Sequence, residues 1–175
     1  MLRLVEEESM DANAKKTALR MIPYGLYVLT AAKGDRIAAA TVNWVTQASF
    51  EPPLVAVGVK VDSHAHPLIK ETKAFALNVL GKGQGPMAFT FFKPAEKKGE
   101  TISGEPYRAG TTGAPILTNT PAFVECTLES TVEMGDHSIF IGKVVEAGVM
   151  KTPDGRADDA TLWLKDLGDK VFYGG

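Results

Sequence analysis

Apolar and polar residues alternate over short stretches of this chain, a pattern that is more typical of β-strands than of long helices. The segment 122–133 alternates most regularly, with Cys126 and Leu128 on one side and Glu125 and Glu129 on the other. This alternation predicts a strand with one solvated face that carries both carboxylates. Cys126 has no evident general base beside it in the sequence, so we interpret it as a small core residue.

Strand-like apolar runs bounded by turn residues occupy five further segments: 26–31, 37–45, 54–59, 75–80 and 138–150. Short helices are predicted over 12–21, 66–71 and 86–92, the first with Asp11 as its N-cap. The charged, Gly- and Pro-rich segment 93–120 is predicted to be a long surface excursion, and the short runs 162–164 and 171–173 to close the sheet or pack on its edge. Regularly spaced antiparallel strands with turns between them are typical of barrels, so the pattern favours a mainly β barrel. The length fits a single domain over 1–175.

The charge and hydropathy of the sequence argue against nucleic-acid and membrane partners. Lys and Arg number 19 and Asp and Glu 21, so the net charge is −2, and no basic run exceeds a pair. Proteins that bind nucleic acid normally carry a basic stripe, so we expect no nucleic-acid partner. We also expect no membrane span, since no apolar stretch approaches the roughly 18 residues that one needs. The acidic N-terminal sequence, without the apolar region of a signal peptide, and the single cysteine favour the cytoplasm.

The stretch 41–53, TVNWVTQASFEPP, places hydroxyl, amide and indole groups at the end of a predicted strand. Thr41, Asn43 and Thr46 can hydrogen-bond the polar edge of a planar heterocycle, and Trp44 can pack against it. The alternative is a strand end whose polar side chains only cap the backbone.

The segment 62–67, DSHAHP, opens a predicted helix, where free backbone N–H groups suit a phosphate or a flavin carbonyl. Ser63 and His64 are the candidate binding residues there, and a simple Asp or Ser N-cap is the alternative. His64 and His66 have one nearby carboxylate, Asp62, which makes no convincing metal-ligand set, so we predict no metal site.

A glycine-rich turn, 81–86, carries Lys82 between a predicted strand and a predicted helix. Its third glycine is misplaced for a dinucleotide fingerprint, which excludes a Rossmann site. Lys82 is a candidate counter-charge for a phosphate, or else a solvated surface lysine. His137 follows the Gly135-Asp136 turn and is either a contact for a nicotinamide or pyrophosphate, or an exposed turn residue.

The order of these features is more specific than any one of them. GLYVLT at 25–30, TVNWVTQASFEPPLV at 41–55, DSHAH at 62–66 and FALNVL at 75–80 are followed by ECTLES, GDH and IFIGKVVE. This succession resembles the flavin reductase-like family of FMN-binding split barrels over residues 20–173. The resemblance implies a mainly β split barrel with Greek-key-like antiparallel strands and a few short helices. It also implies a homodimer that holds FMN near the subunit interface and accepts hydride from NADH or NADPH.

The resemblance also assigns site residues. By position, the isoalloxazine and ribityl chain would be lined by Thr41, Asn43, Trp44 and Thr46. Ser63 and His64 would lie in the second flavin-binding loop, and His137 would face the nicotinamide. Lys82 and Phe92 are looser assignments, as phosphate counter-charge and ring neighbour. The family's first loop often carries small hydroxyl residues where this chain has Asn43 and Trp44, which favours a tightly held flavin.

Three functions follow as hypotheses. The first is an NAD(P)H-dependent FMN oxidoreductase that passes electrons to an acceptor, such as a partner monooxygenase. The second is an FMN-binding electron carrier that a protein donor reduces, without productive NAD(P)H turnover. The third is a cofactor-free interaction barrel. The absence of a catalytic triad or dyad does not argue against the first, because a flavin is itself the electron sink.

Overall fold

A computed structural model describes residues 9–175, so the acidic N-terminal residues 1–8 lie outside the described part. The α-helices of the described residues are α1 (Ala12–Arg20), α2 (Ala65–Thr72) and α3 (Gly85–Thr90). The seven longer strands are β1 (Tyr27–Lys33), β2 (Arg36–Val42), β3 (Val45–Ser49), β4 (Leu54–Lys60), β5 (Ala74–Val79), β10 (Ala122–Glu133) and β11 (His137–Val149). The four between α3 and β10 are β6 (Lys97–Lys98), β7 (Thr101–Ile102), β8 (Glu105–Ala109) and β9 (Pro115–Leu117). Two 3₁₀ helices follow β11, at Ala157–Ala160 and Leu164–Leu167.

The seven longer strands form one antiparallel sheet in the order β2-β1-β5-β10-β11-β4-β3. The prediction of a mainly β fold of antiparallel strands with a few short helices is therefore confirmed. α1 begins where predicted, because the Asp11 carboxylate accepts hydrogen bonds from the backbone N–H groups of Asn13 and Ala14 at 2.8 and 2.9 Å. No helix within residues 9–175 is long and apolar enough to cross a membrane.

The predicted strand over 37–45 is two strands. β2 ends at Val42 and pairs with β1 at one edge of the sheet, whereas β3 begins at Val45 and pairs with β4 at the other edge. Asn43 and Trp44 connect them outside both strands. The apolar pattern is continuous across the break, so it did not reveal that the chain crosses from one edge to the other at this point.

The core beneath α2 is built around large side chains from three strands. Leu29, Phe75 and Phe140 are fully buried together with Ile69 of α2. Gly142 of β11 makes this packing possible, since a Cβ atom there would lie 2.5 Å from Cζ of Phe75. A glycine in a strand interior often marks such a close approach.

Cys126 belongs to the same core cluster and is fully buried, as predicted. Burial in apolar surroundings, with a smaller contribution from the neighbouring Glu125, raises the pKa of its thiol to about 12. Since the thiolate is the nucleophile, Cys126 is chemically inert in the folded protein at neutral pH.

The segment 93–120 is more ordered than the predicted surface excursion. It contains the small antiparallel sheet β6-β7-β8-β9 and buries Ile102, Ile116 and Leu117. Its buried side chains pack into two core clusters of the large sheet. Hydrogen bonds add to this attachment: the backbone N–H of Leu117 donates to Asn78 Oδ1 at 2.9 Å, and Thr30 Oγ1 donates to the carbonyl of Pro115. Strands of two to five residues are too short to produce a readable alternation, which is why the sequence did not predict them.

The prediction of a solvated Glu125 is wrong. Glu129 is exposed, but Glu125 is fully buried beneath the loop that precedes β9. Its carboxylate accepts hydrogen bonds from the backbone N–H groups of Thr111 and Thr112, at 3.1 and 2.5 Å, and from Thr112 Oγ1 at 2.5 Å. The loop approaches this closely because residue 110 is glycine, where a Cβ would lie 2.3 Å from Glu125 Oε1. Strand alternation cannot report a cover supplied by a separate loop.

We expect Glu125→Gln to lower the free energy of unfolding by about 1–3 kcal/mol. One oxygen that accepts hydrogen bonds becomes an NH₂ group, which faces donors and leaves buried groups unsatisfied. Urea denaturation measures the loss. Glu129→Gln makes the same chemical change on the exposed face and should stay within about 0.5 kcal/mol of the parent protein. Equal effects of the two substitutions would contradict the role assigned to Glu125.

Candidate functional site

The break between β2 and β3 opens onto two neighbouring cavities. Cavity A, of about 190 Å³, has apolar walls and a few polar groups from Thr41, Asn43, Lys60, Ser63 and Tyr173. Cavity B, of about 640 Å³, has a different set of walls. Its main lining residues are Trp44, Thr46, Gly58, Asp136, His137 and Ile139. Asn43 and Trp44, which are adjacent in the chain, therefore contribute to different cavities.

Cavity A is a mostly apolar slot with a few polar groups in its walls. Thr41 lies at its wall, and its hydroxyl donates to the carbonyl of Ala88 in α3 at 2.7 Å. Asn43 is almost fully buried and donates from Nδ2 to the carbonyl of Tyr173 at 3.1 Å. Phe92 adds a half-exposed ring at the rim, in edge-on contact with Phe89. Such a slot suits a flat, largely apolar ring with a polar edge.

Trp44 lies in cavity B and packs against two other rings that also contact each other. Its centroid is 4.5 Å from that of His137 and 5.3 Å from that of Tyr173. Gly58 of β4 allows the indole to lie on the strand, since a Cβ there would come within 3.1 Å of Cε3. The indole Nε1 is buried and has no hydrogen-bond partner, which leaves a donor available to a ligand.

A hydrogen-bonded chain runs from Asp136 through His137 to Tyr173. Asp136 Oδ1 lies 2.8 Å from His137 Nδ1, and His137 Nε2 lies 2.6 Å from the Tyr173 hydroxyl. A carboxylate only accepts, so Nδ1 carries a proton, and in the neutral imidazole Nε2 accepts from the tyrosine. The bond to His137 holds the pKa of Asp136 below its usual range. Burial raises the pKa of Tyr173.

A third space, cavity C of about 480 Å³, adjoins cavity A at Ser63, which lines both. Its walls carry the cationic side chains of Arg36 and Lys97, together with His64. Both cations have carboxylate partners: Arg36 pairs with Glu71 at 2.9 Å, and Lys97 with Asp35, which also lines the cavity, at 3.2 Å. Exposed pairs of this kind contribute about 0–1 kcal/mol, so both cations can turn to another anion at little cost.

The two histidines of the 62–67 segment do not converge. His66 is buried and its Nε2 lies 2.8 Å from Ser138 Oγ, whereas His64 lines cavity C. The Ser63 hydroxyl accepts from the backbone N–H of His66 at 3.3 Å, but the N-cap residue of α2 is His64, so neither Asp62 nor Ser63 is the N-cap itself. Within residues 9–175, no three His, Cys, Asp or Glu side chains are arranged to hold a metal ion.

Lys82 is apart from the other candidate residues. Its ammonium group pairs with Asp166, and the residue lines a separate cavity with Gln84 and Asn119. The structure thus brings Thr41, Asn43, Ser63 and Phe92 together around cavity A, Trp44, Thr46 and His137 around cavity B, and His64 into cavity C. Lys82 joins none of these groups.

Sequence reasoning missed four residues of these cavities. Tyr173 lies 130 positions from Asn43, and only its place in the apolar run 171–173 marked it. Lys60, Arg36 and Lys97 look like ordinary surface cations in the sequence. The basic character of cavity C comes from tertiary proximity, because Arg36 follows the first hairpin turn and Lys97 lies in β6.

Residues 19–166 match the family described as "Flavin reductase like domain". The chain is 35% identical over 76% of its length to the high molecular weight rubredoxin of Moorella thermoacetica. It is 32% identical over 77% of its length to the ferric-chelate reductase (NAD(P)H) of Archaeoglobus fulgidus, of which it covers 80%. Among solved structures, BorF, the flavin reductase component of a bacterial two-component tryptophan halogenase, superposes with a TM-score of 0.72 at 26% identity, covering 93% of this chain and 96% of that one.

The chain spans 59% of the rubredoxin's length and about a quarter of several other curated relatives. The antiparallel strand order and these matches indicate the same fold and family. The fold is a split barrel, and the chain belongs to the flavin reductase-like domain family.

Proposed function

We propose that this chain is an NAD(P)H-dependent FMN oxidoreductase that takes hydride from a nicotinamide and passes the electrons to an acceptor. The main support for this proposal is that the apolar cavity A and the basic cavity C adjoin at Ser63, which lines both. A ligand with a flat ring at one end and a phosphate at the other matches this sequence of surfaces. FMN has that form.

The residues fit FMN chemically. The hydroxyl and amide groups of Thr41 and Asn43 lie beside cavity A, where they can hydrogen-bond the polar edge of a ring. The unpartnered indole N–H of Trp44 is a further donor for a carbonyl. Arg36 and Lys97 supply positive charge in cavity C for a phosphate.

Bound FMN would supply the electron-accepting ring. The chain's own task is then to orient that ring and keep one of its faces open. Cavity B gives an approach from the Trp44 and His137 side, and we assign it to the nicotinamide of the donor. Asp136 fixes the imidazole of His137 in one orientation through the bond to Nδ1. The ferric-chelate reductase, a relative whose name includes NAD(P)H, supports this donor class.

We also propose a homodimer. β11 exposes the apolar side chains of Ile139, Val145 and Val149 along one strand, and Ile139 is part of the wall of cavity B. Contiguous exposed apolar surface on a small domain commonly marks an interaction site. A second copy seated on β11 would shield this strand and lie beside cavity B.

Sedimentation equilibrium tests the dimer. We expect twice the chain mass at micromolar concentration, and a shift toward the monomer in Val145→Lys/Val149→Lys, because burying two ammonium groups in an interface is unfavourable. Leu19→Lys, which puts the same charge on an exposed apolar side chain of α1, is the control and should leave the mass unchanged. A parent protein that stays monomeric would overturn this proposal.

We expect Arg36→Gln to weaken FMN binding about 10- to 100-fold and to leave riboflavin binding unchanged. Riboflavin has the same ring and ribityl chain without the phosphate, and a hydrogen bond to a charged group contributes about 1.5–3 kcal/mol. Quenching of flavin fluorescence gives both dissociation constants. Lys33→Gln is the matched control, since Lys33 shares Glu71 with Arg36 but does not line cavity C. Equal weakening of both ligands by Arg36→Gln would rule out the phosphate assignment.

An absorbance spectrum of the purified protein, followed by NADH and then NADPH without oxygen, tests the proposed activity directly. We expect the visible bands of oxidised flavin after incubation with FMN, and their loss within seconds of adding one of the two donors. Flavin bands that persist with both donors would favour the electron carrier over the oxidoreductase. A protein that takes up no FMN would overturn both functions.

A further inference from the structure

The segment 168–175, called the strap below, crosses from the second 3₁₀ helix to the junction of cavities A and B. It holds no regular secondary structure. Tyr173 forms part of the wall of cavity A and touches Trp44 and His137, which line cavity B. Tyr173 therefore occupies the place where the two cavities adjoin.

Tyr173 hydrogen-bonds to polar side chains of the candidate site. Its carbonyl accepts from Asn43 Nδ2 at 3.1 Å, and its hydroxyl is 2.6 Å from His137 Nε2. Its ring packs against Trp44. One residue of the chain itself thus engages three of the side chains assigned to ligands.

The strap covers the candidate site but leaves one buried donor there without a hydrogen-bond partner. Trp44 Nε1 is buried without a partner, and the nearby strap residue is Gly174, on which a Cβ would lie 3.9 Å from that nitrogen. A buried donor without a partner is unfavourable, and the strap lies near this group without supplying an acceptor. A ligand with a carbonyl at this position would satisfy it. The unsatisfied donor is an observation, independent of Tyr173 itself, that points to a ligand in this place.

The strap makes few backbone hydrogen bonds, although Val171 packs against a buried cluster. In the part of the chain that the structure describes, residues 169–175 make one backbone–backbone hydrogen bond, from Val171 to Gly168, and it lies within the strap. The remaining attachments include Arg20, which donates to the carbonyl of Gly174 at 3.2 Å and lies over the ring of Phe172. Phe172 and Tyr173 are each about half exposed. Segments with few backbone bonds and much exposed surface open at low free-energy cost.

We propose that the strap is a gate, in which Tyr173 separates a ring in cavity A from a donor ring in cavity B and leaves when the donor binds. This proposal rests on the proposed function. Hydride transfer needs the reacting atoms about 3–3.5 Å apart, which a phenol ring between the two cavities prevents. Cavity A is also smaller than the roughly 300–1,000 Å³ of most small-molecule sites, and removing Tyr173 from its wall would enlarge it toward cavity B. The nicotinamide would then take the place of the Tyr173 ring beside Trp44 and His137, which line cavity B.

The test uses FMN-loaded protein and NAD⁺ or NADP⁺, the oxidised dinucleotides, which bind without transferring hydride. We expect Tyr173→Ala to bind the preferred dinucleotide about tenfold more tightly, because the ligand no longer displaces the ring packed on Trp44 or the hydroxyl bonded to His137, while the backbone carbonyl bonded to Asn43 is kept. Tyr173→Phe, which keeps the ring and loses only the bond to His137, should tighten binding about threefold. Phe50→Ala removes an exposed ring that lines neither cavity A nor cavity B and lies outside the strap, and should alter affinity less than twofold. Weaker or unchanged binding in Tyr173→Ala would overturn the gate and make Tyr173 an ordinary ligand contact.

A second readout follows the strap itself. Chymotrypsin cleavage after Phe172 or Tyr173, measured by mass spectrometry, should accelerate several-fold when the dinucleotide is added to the FMN-loaded parent protein. Unchanged or slower cleavage at saturating dinucleotide would contradict displacement, and release by FMN alone would contradict a gate operated by the donor.

The two proposals fail differently. A protein that takes up no FMN, or is not reduced by NADH or NADPH, loses the proposed function and the gate with it. A protein that is reduced, but in which Tyr173→Ala binds the dinucleotide no more tightly, loses only the gate.

Discussion

The link between β2 and β3 constrains the whole molecule. These strands follow one another in the sequence yet lie at opposite edges of the seven-stranded sheet, with only Asn43 and Trp44 between them. Each residue spans at most about 3.3–3.6 Å, so the sheet must curl until its two edges nearly meet. Neither linking residue belongs to either ladder, and the bond from Gly58 N–H to the carbonyl of Trp44 fixes the crossing at 2.9 Å. Barrel closure therefore delivers one side chain to cavity A and the next to cavity B.

The sequence predicted the strands well where apolar runs are long and bounded by turn residues, as in β4, β5 and β11. It predicted a single strand across Asn43 and Trp44, because the apolar pattern does not record which edge of the sheet a residue joins. Glu125 was assigned to a solvated face for a similar reason: its cover comes from Thr111 and Thr112, whose position depends on the tertiary fold.

The candidate site was predictable in its local parts and not in its long-range ones. Segments 41–46 and 62–64 each supply neighbouring residues, so local patterning and family resemblance located them. The contact of Asn43 with Tyr173 and the approach of Arg36 to Ser63 across cavity C are tertiary. Residue types that are individually unremarkable become a site only through that proximity. The division of the predicted residues among cavities A, B and C, with Lys82 outside them, likewise depends on the tertiary fold.

Thr41 connects cavity A to the core of the barrel. Its hydroxyl donates to the carbonyl of Ala88, and its backbone N–H donates to that of Phe91, so β2 and α3 are joined at the cavity wall. Ala88 and Phe91 are fully or nearly fully buried, in a cluster that includes Met87 and Leu26. The wall of cavity A at Thr41 is therefore bonded directly to residues of that buried cluster. Substitutions in this buried cluster would therefore change the affinity of cavity A for its ligand, even at residues that do not touch the ligand. By linkage, a ligand bound tightly in cavity A would raise the melting temperature of the protein.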